Sequence, residues 1–315
     1  MNRQGIARQN HYLPQFYQLG FADESGCPWV YDRKDDAYRQ LPTKRTGVEK
    51  DLYTTMTPEG HQNDEVERML ADKIDGPTKA IIERLDDKDM RWEGEDRWIL
   101  ALFVALMRTR TPAFDKEQKE FGDKLLRWVS KKQNPTPEAF ADAWLKATGE
   151  VVEAATAKRA FDVIQNDQYD VDIPRQNIIK MMLELSLELA EALMTLNWTI
   201  LSIPNACSFI TCDHPFVVIP PVGLNGDLSG YGIRTAGATT AVPLSSRSLI
   251  CFHESGHGIG YRLARRDEVR YFNAEVATNS ERFVLARDRP LLESVVRRTN
   301  LAVEQARPRL QFEAI

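Results

Sequence analysis

Three side chains in the 315-residue sequence are of types that suit acid–base and phosphate chemistry: His11, Arg110 and Asp213. The imidazole of His11 titrates near neutral pH, which suits a general acid or base. The guanidinium of Arg110 would hold a phosphate or a carboxylate by two hydrogen bonds. Asp213 follows an apolar run and precedes a proline, so its carboxylate would orient His11 or bind a metal. Together these residues predict a catalytic site.

Each of the three residues also has a purely structural interpretation. His11 would bond backbone carbonyls near a chain reversal. Arg110 ends an apolar helix, where a cation interacts favourably with the helix dipole. Asp213 would bond backbone N–H groups in a local turn, as aspartates readily do. The sequence alone leaves both interpretations open for each residue.

Further polar residues are predicted to bind the substrate. Asn10, Tyr12 and Gln15 surround His11 in the chain, and Asn279 lies on a late helix. Arg108 is a second candidate, although it lies two positions before Arg110, so the two side chains leave different faces of one helix.

A metal is the cofactor to consider, because two acidic groups would converge if one helix faces inward. Glu65 and Glu67 begin the first long helix, and an inward Glu67 would join Asp213. Two carboxylates suit a divalent metal of the nuclease kind. Solvation on the helix surface is the alternative for both glutamates.

The segment His253–His257 reads H-E-x-x-H, the pattern of zinc proteases. That chemistry needs both histidines on one helical face. Here the pattern follows an apolar strand, and Gly256 within it and Gly258 and Gly260 after it oppose a helix. We therefore predict a loop and no protease.

The elements that position these residues predict an α+β fold in a single domain. Helical patterns occupy residues 62–197, with a break or kink at Gly76-Pro77, and residues 1–60 and 198–315 contain strands. Residues 29–41 predict a hairpin, and we expect a central helical core with an antiparallel or mixed sheet built from this hairpin and the C-terminal strands. Pairing of the hairpin with the strands of 198–253 would bring His11 near Asp213.

Charge and hydropathy exclude several classes of protein. The net charge is −5, from 41 basic and 46 acidic side chains, which argues against a dedicated duplex-DNA binder but permits a local basic cleft. No apolar stretch approaches the length of a membrane span, and the N-terminus lacks the apolar core of a signal peptide. We expect a cytoplasmic protein without a membrane partner.

Ordered motifs run through nearly the whole chain. They are Asn10-His11-Tyr12-x-Pro14-Gln15-Phe16-Tyr17-x-x-x-Phe21, Glu49-x-x-Leu52-Tyr53, the Glu65/Glu67 helix, Arg108-Thr109-Arg110-Thr111-Pro112, Ile210-Thr211-Cys212-Asp213-His214-Pro215, Pro243-Leu244-Ser245 and the Asn273–Asn279 helix. In this order they resemble the family called domain of unknown function 4238. Two departures are visible: Cys212 and His214 flank the aspartate where the family usually has serine and asparagine, and Gln18 replaces a leucine.

The resemblance implies a bacterial intracellular protein, with some relatives linked to defence against bacteriophage. The first functional hypothesis is therefore a hydrolase or nuclease-like effector that acts on RNA, DNA or a nucleotide, with a phage or host protein as its trigger. The alternative is a non-catalytic binding or sensing module whose functional surface lies near the Gly-rich loop 223–238.

Overall fold

The computed structural model describes residues 9–56, 62–89, 91–204, 206–221 and 232–301. Contacts divide the chain into two compact units. Unit 1 combines the residues up to 113 with those from 181 onward, and unit 2 is the continuous segment 114–180 between them. All the candidate site residues belong to unit 1.

The helices lie mainly in the middle of the chain. Among the described residues they are α1 (Gln15–Leu19), α2 (Glu65–Leu70), α3 (Gly76–Asp86), α4 (Asp96–Thr109), α5 (Pro112–Gln133), α6 (Pro137–Thr148), α7 (Ala154–Gln165), α8 (Arg175–Met194), α9 (Arg266–Thr278) and α10 (Arg289–Thr299).

The strands lie on both sides of that helical part. Among the described residues they are β1 (Gln9–His11), β2 (Trp29–Asp32), β3 (Ala37–Gln40), β4 (Val48–Lys50), β5 (Thr55–Met56), β6 (Gln62–Asn63), β7 (Leu196–Ser202), β8 (Thr211–Cys212), β9 (Val217–Ile219), β10 (Thr239–Pro243), β11 (Ser248–Ser255), β12 (Ile259–Leu263) and β13 (Phe283–Ala286).

The central helix α4 is buried nearly all round, as its continuous apolar sequence predicts. Leu100, Phe103 and Val104 are fully buried in it. The helix stops at Thr109, and Pro112 begins α5, because proline is tolerated in a first turn but not inside a helix.

The predicted break at Gly76-Pro77 is instead a change of helical register. A π-helical turn, Ala71–Asp75, connects α2 to α3 without interrupting the rod. Pro77 falls in the first turn of α3, where its missing N–H costs little. The Gly76-Pro77 pair therefore marks a local distortion of the helix and not the end of the helix.

The α+β fold is confirmed, and one antiparallel sheet joins the two ends of the chain. Its strand order is β3-β2-β13-β8, so the N-terminal hairpin shares a sheet with C-terminal strands as predicted. The expected direct pairing of the hairpin with strands of 198–253 is wrong, because β13 lies between β2 and β8. Val284 and Leu285 are fully buried and make β13 a suitable central strand, whereas the two-residue β8 fits an edge.

A second sheet is built only from the C-terminal half, in the order β12-β7-β11-β10-β9. Its pairs are antiparallel except β12 with β7, which is parallel. The rings of Trp198 and Phe252 meet edge to face, with centroids 5.1 Å apart, in its core. This sheet has no strand from the N-terminal sixty residues that the structure describes.

Helix α1 connects the N-terminal segment to the late strands. The Tyr17 hydroxyl donates to the carbonyl oxygen of Pro243 at 2.8 Å and lies 2.7 Å from the hydroxyl of Thr211. Tyr17 also packs against Phe103 of α4, with ring centroids 5.9 Å apart. The strand β1 itself pairs with β4, which fixes His11 opposite Val48.

Unit 2 consists of α6, α7 and the larger part of α5, together with the first turns of α8. Thr136 caps α6 by accepting from the backbone of Ala139, and Gly149 ends it in the left-handed conformation. Arg127 of α5 bonds both carboxylate oxygens of Asp123 at 2.9 Å.

Candidate functional site

The amide of Asn10 holds two elements together. Its Nδ2 donates to the Glu67 carboxylate at 2.8 Å, and its Oδ1 accepts from the backbone N–H of Tyr53 at 3.1 Å. Asn10 is 1% exposed, so both polar atoms of its amide form their hydrogen bonds in the protein interior. These contacts assign Asn10 a structural task, and its predicted role in substrate binding stays a prediction.

Arg110 is buried in the same network. The Tyr53 hydroxyl donates to the Arg110 carbonyl oxygen at 2.8 Å, and Arg110 Nη1 lies 3.0 Å from Oδ1 of Asp75. The guanidinium carbon also lies 5.3 Å from the ring centroid of Phe103. The side chain is 1% exposed, so its charge is balanced within the fold.

His11 is half-buried, and its environment keeps it neutral. Burial lowers the pKa of His11, while a hydrogen bond to the backbone of Thr43 opposes that shift. Nε2 is buried and has no hydrogen-bond partner among the described residues. A neutral imidazole has the protonation state that a general base needs, but Nε2 has no access to solvent in this structure. Of the three predicted catalytic residues, His11 is the one whose protonation state best suits its predicted role as a general base.

The Asp213 carboxylate accepts three backbone hydrogen bonds from the turn before β13. Oδ1 accepts from Glu281 at 2.9 Å, and Oδ2 accepts from Arg282 at 2.7 Å and from Phe283 at 3.1 Å. Burial raises the pKa of Asp213 to about 6 against the effect of these donors, so the group is mainly ionised at neutral pH. The carboxylate therefore organises the turn that leads into the central strand.

Asp213 does accept hydrogen bonds from backbone N–H groups, as its structural interpretation predicts, but these groups do not belong to neighbouring residues. Its donors lie about 70 residues further along the chain and not in a local turn. Asp213 is predicted to orient His11, but none of the hydrogen bonds that the structure describes for the Asp213 carboxylate involves His11. That role, and the joint metal site with Glu67, stay predictions.

The N-terminal motif does approach the Asp213 segment, through Tyr12 rather than His11. Burial, and next the charge of Asp213, raise the pKa of the Tyr12 phenol. From the other side, burial and the charge of Arg108 lower the pKa of His214 to about 3. Tyr12 and Arg108 therefore both lie within electrostatic reach of the 213–214 turn.

Asn279 ends α9 and fastens the same turn. Its Nδ2 donates to the carbonyl oxygens of His214 at 2.6 Å and Phe216 at 3.1 Å. Gln15, the remaining predicted binding residue, is half-buried at the start of α1.

Replacing Asn279 by alanine should lower the free energy of unfolding by about 1–2 kcal/mol, because two carbonyl groups lose their donor. Denaturant unfolding measures this change. Asn166→Ala is the matched control, since Asn166 also ends a helix but makes its bond to Asp162 in an exposed position. An equal loss in both variants would contradict the assignment.

The H-E-x-x-H segment has no helix. His253 belongs to β11, and its Nε2 lies 2.8 Å from the Thr199 hydroxyl, whereas His257 follows the strand and its Nδ1 lies 3.1 Å from the Met194 carbonyl oxygen. The segment is therefore not helical, but the predicted loop is wrong for His253–Ser255, because these residues extend β11. Among the described residues, no three His, Cys, Asp or Glu side chains are grouped so that they could hold a metal ion.

A cavity of about 500 Å³ lies elsewhere in unit 1, and four arginines line it. They are Arg247 after β10, Arg266 and Arg270 on α9, and Arg287 after β13. One aspartate, Asp288, also lines the cavity, and its carboxylate accepts from the backbone of Leu291 at 2.8 Å. None of the residues predicted from the sequence to be catalytic lines this cavity.

Asn273 forms a polar part of the wall of the arginine cavity, and two hydrogen bonds to the backbone hold its side chain. Asn273 is 3% exposed, and its amide bonds the backbone of Ile210 at 3.1 Å and of Ser208 at 2.9 Å. Sequence reasoning missed this site. The only signal was the spacing of Arg266 and Arg270, which places both on one helical face.

The chain matches no curated protein and no solved structure. In the part of the chain that the structure describes, no helix has both the length and the apolar character needed to cross a membrane. The sequence model of one family, described as Protein of unknown function (DUF4238), matches residues 9–290. That match covers most of the chain and includes the Asn10–Asp213 region and every residue lining the arginine cavity except Leu291, so the chain belongs to this family.

Proposed function

We propose that the protein binds a small phosphate-bearing ligand in the arginine cavity. The observation that carries the proposal is the convergence of four arginines on a cavity of about 500 Å³, a size that is ordinary for small-molecule sites. The whole chain has a net charge of −5, so this concentration of positive charge is local.

The pairing of neighbouring arginines supports this proposal. Arg262, Arg265 and Arg289 lie beside the cavity in the sequence, and each has a carboxylate partner within 3.2 Å. Arg266, Arg270 and Arg287 make no ion pair with any side chain that the structure describes. The fold thus leaves the charges of three arginines uncompensated on the cavity wall, whereas the fourth, Arg247, pairs with Asp86 and Asp87 at 3.4 Å.

Arg266 and Arg270 are one helical turn apart, and like charges at this spacing destabilise a helix. Such an arrangement is more easily explained by a ligand that neutralises it than by the stability of the free protein. Several guanidinium groups around one space favour an anion with more than one charge. None of the described residues lining the cavity is aromatic, so the phosphate and hydroxyl groups of the ligand would dominate recognition.

The hydrolase or nuclease-like activity of a defence effector remains a proposal beside this one. Its best support is His11, a neutral imidazole with an unpartnered nitrogen. A non-catalytic sensing module is the alternative, and a ligand cavity without His11, Arg110 or Asp213 fits that alternative equally well. The loop surface proposed for such a module lies partly outside the described residues, which omit 222–231.

Isothermal titration with phosphate, pyrophosphate, AMP and glucose 6-phosphate tests the binding proposal. We expect at least one of these to bind with a Kd below roughly 1 mM. In Arg266→Gln/Arg270→Gln that affinity should fall about 100-fold, because each charged hydrogen bond contributes about 1.5 kcal/mol. The free variant should melt at the same or a higher temperature, since a like-charge pair is removed.

Arg297→Gln is the matched control, because Arg297 is an exposed arginine of α10 that does not line the cavity. Its affinity should stay within about twofold of the wild type, since screened charges outside the site contribute little. Failure of all four ligands to bind, or an equal loss in the control, would overturn the proposal.

A further inference from the structure

A second, smaller cavity adjoins the arginine cavity. It has a volume of about 150 Å³ and shares Arg270, Asn273 and Leu291 with the larger one. Ser294 and Arg298 of α10 line the smaller cavity and not the larger one. The shared residues make the two cavities parts of one groove.

The groove runs along two helical faces. Arg266, Arg270 and Asn273 recur on α9 at intervals of four and three residues, which places them on one side of that helix. Leu291, Ser294 and Arg298 do the same on α10. The groove therefore continues past the four arginines toward the C-terminal end of α10.

Arg298 gives the small cavity its own positive charge. It makes no ion pair with a side chain that the structure describes, and the Ser294 hydroxyl lines the same space. The neighbouring Thr299 directs its hydroxyl to the backbone, donating to Val295 at 2.8 Å. A guanidinium and a hydroxyl without described partners suit a single anionic group.

Resting on the proposed function, we propose that the ligand carries two separated phosphate groups, one for each cavity. Arg266, which lines only the larger cavity, and Ala274, which lines only the smaller one, are eight residues apart, which corresponds to about 12 Å along α9. Adjacent phosphates of a diphosphate are too close together to occupy both ends of such a groove. The class that fits is a small molecule with phosphates at opposite ends of a sugar-sized body, and Arg270 in the shared wall contacts both halves of the site.

Glucose 1,6-bisphosphate and glucose 6-phosphate form a matched pair of probes for this inference. The wild type should bind the bisphosphate at least about tenfold more tightly, because one further charged contact is made. Arg298→Gln should abolish that preference and leave the affinity for glucose 6-phosphate within about twofold. Arg297→Gln, one residue away and outside both cavities, should keep the preference.

The outcomes separate the two proposals. Equal affinity of the wild type for both sugars would overturn the two-phosphate inference and leave phosphate binding intact. Absence of binding by either sugar, together with the failure of phosphate, pyrophosphate and AMP, would overturn the proposed function itself. A preference that survives in Arg298→Gln, or an equal loss for both sugars in that variant, would show that Arg298 forms no separate subsite. Melting temperatures of all variants confirm that the compared proteins are folded.

Discussion

In the variant Arg110→Met the free energy of unfolding falls by about 3 kcal/mol relative to the wild type. The substitution leaves the charge of Asp75 without its partner, and breaking a buried ion pair in this way typically costs about 3–5 kcal/mol. The lower end applies because Asp75 is 20% exposed and water reaches part of its carboxylate. Denaturant unfolding at pH 7.5 measures the loss.

Two companion variants make this result specific. Asp75→Asn/Arg110→Met should recover part of the lost stability, since no uncompensated charge remains. Arg39→Met removes an exposed pair with Asp35 and should change stability by no more than about 0.5 kcal/mol. If Arg110→Met kept full stability but abolished a phosphodiesterase activity of the protein, the catalytic prediction for Arg110 would be favoured instead.

Asp213→Asn should lower the free energy of unfolding by about 3 kcal/mol at pH 7.5, where the wild-type carboxylate is ionised. An amide supplies one acceptor oxygen in place of two, and its NH2 group would face either the backbone N–H of Glu281 or those of Arg282 and Phe283, which need an acceptor. A buried donor left without a partner costs about 1–3 kcal/mol, and we expect this cost to exceed what the variant gains by removing a buried charge. Chemical denaturation measures the difference.

Asp267→Asn is the control for Asp213→Asn, because Asp267 pairs with Arg265 at the surface. We expect it to change stability by less than about 0.5 kcal/mol. A stable Asp213→Asn protein would show that the three backbone bonds contribute little, and the catalytic interpretation of Asp213 would regain its ground.

The sequence predicts the elements well where one segment determines its own structure. Helix α4 is recognisable because it is apolar all round and because Thr111-Pro112 follows it. Gly149 marks the end of α6 for an equally local reason, its left-handed conformation. The hairpin that forms β2 and β3 needs only a polar turn between two short strands.

The site was harder to predict because its contacts are distant in the chain. The residue types around His11, Arg110 and Asp213 indicate polar chemistry. The donors to Asp213, however, come from Glu281–Phe283, and no residue near Asp213 in the sequence predicts these hydrogen bonds. Arg247 and Arg287 likewise reach the cavity from two separate loops. A sequence can show that two arginines share a helical face, but it does not show which loops meet that face.

The sheet β3-β2-β13-β8 has a consequence for the time at which the chain folds. Asp32 and Arg282, which form an ion pair where β2 ends and β13 begins, are 250 residues apart in the sequence. Closing so long a loop is entropically costly, and contacts of high sequence separation slow folding. During synthesis the hairpin must wait for β13, so the apolar side chains of Val30 and Tyr31 emerge long before their partners. The continuous unit 2 can meanwhile form its local helices, and the nascent protein passes through a long interval in which an unpaired strand edge is open to aggregation or to chaperones.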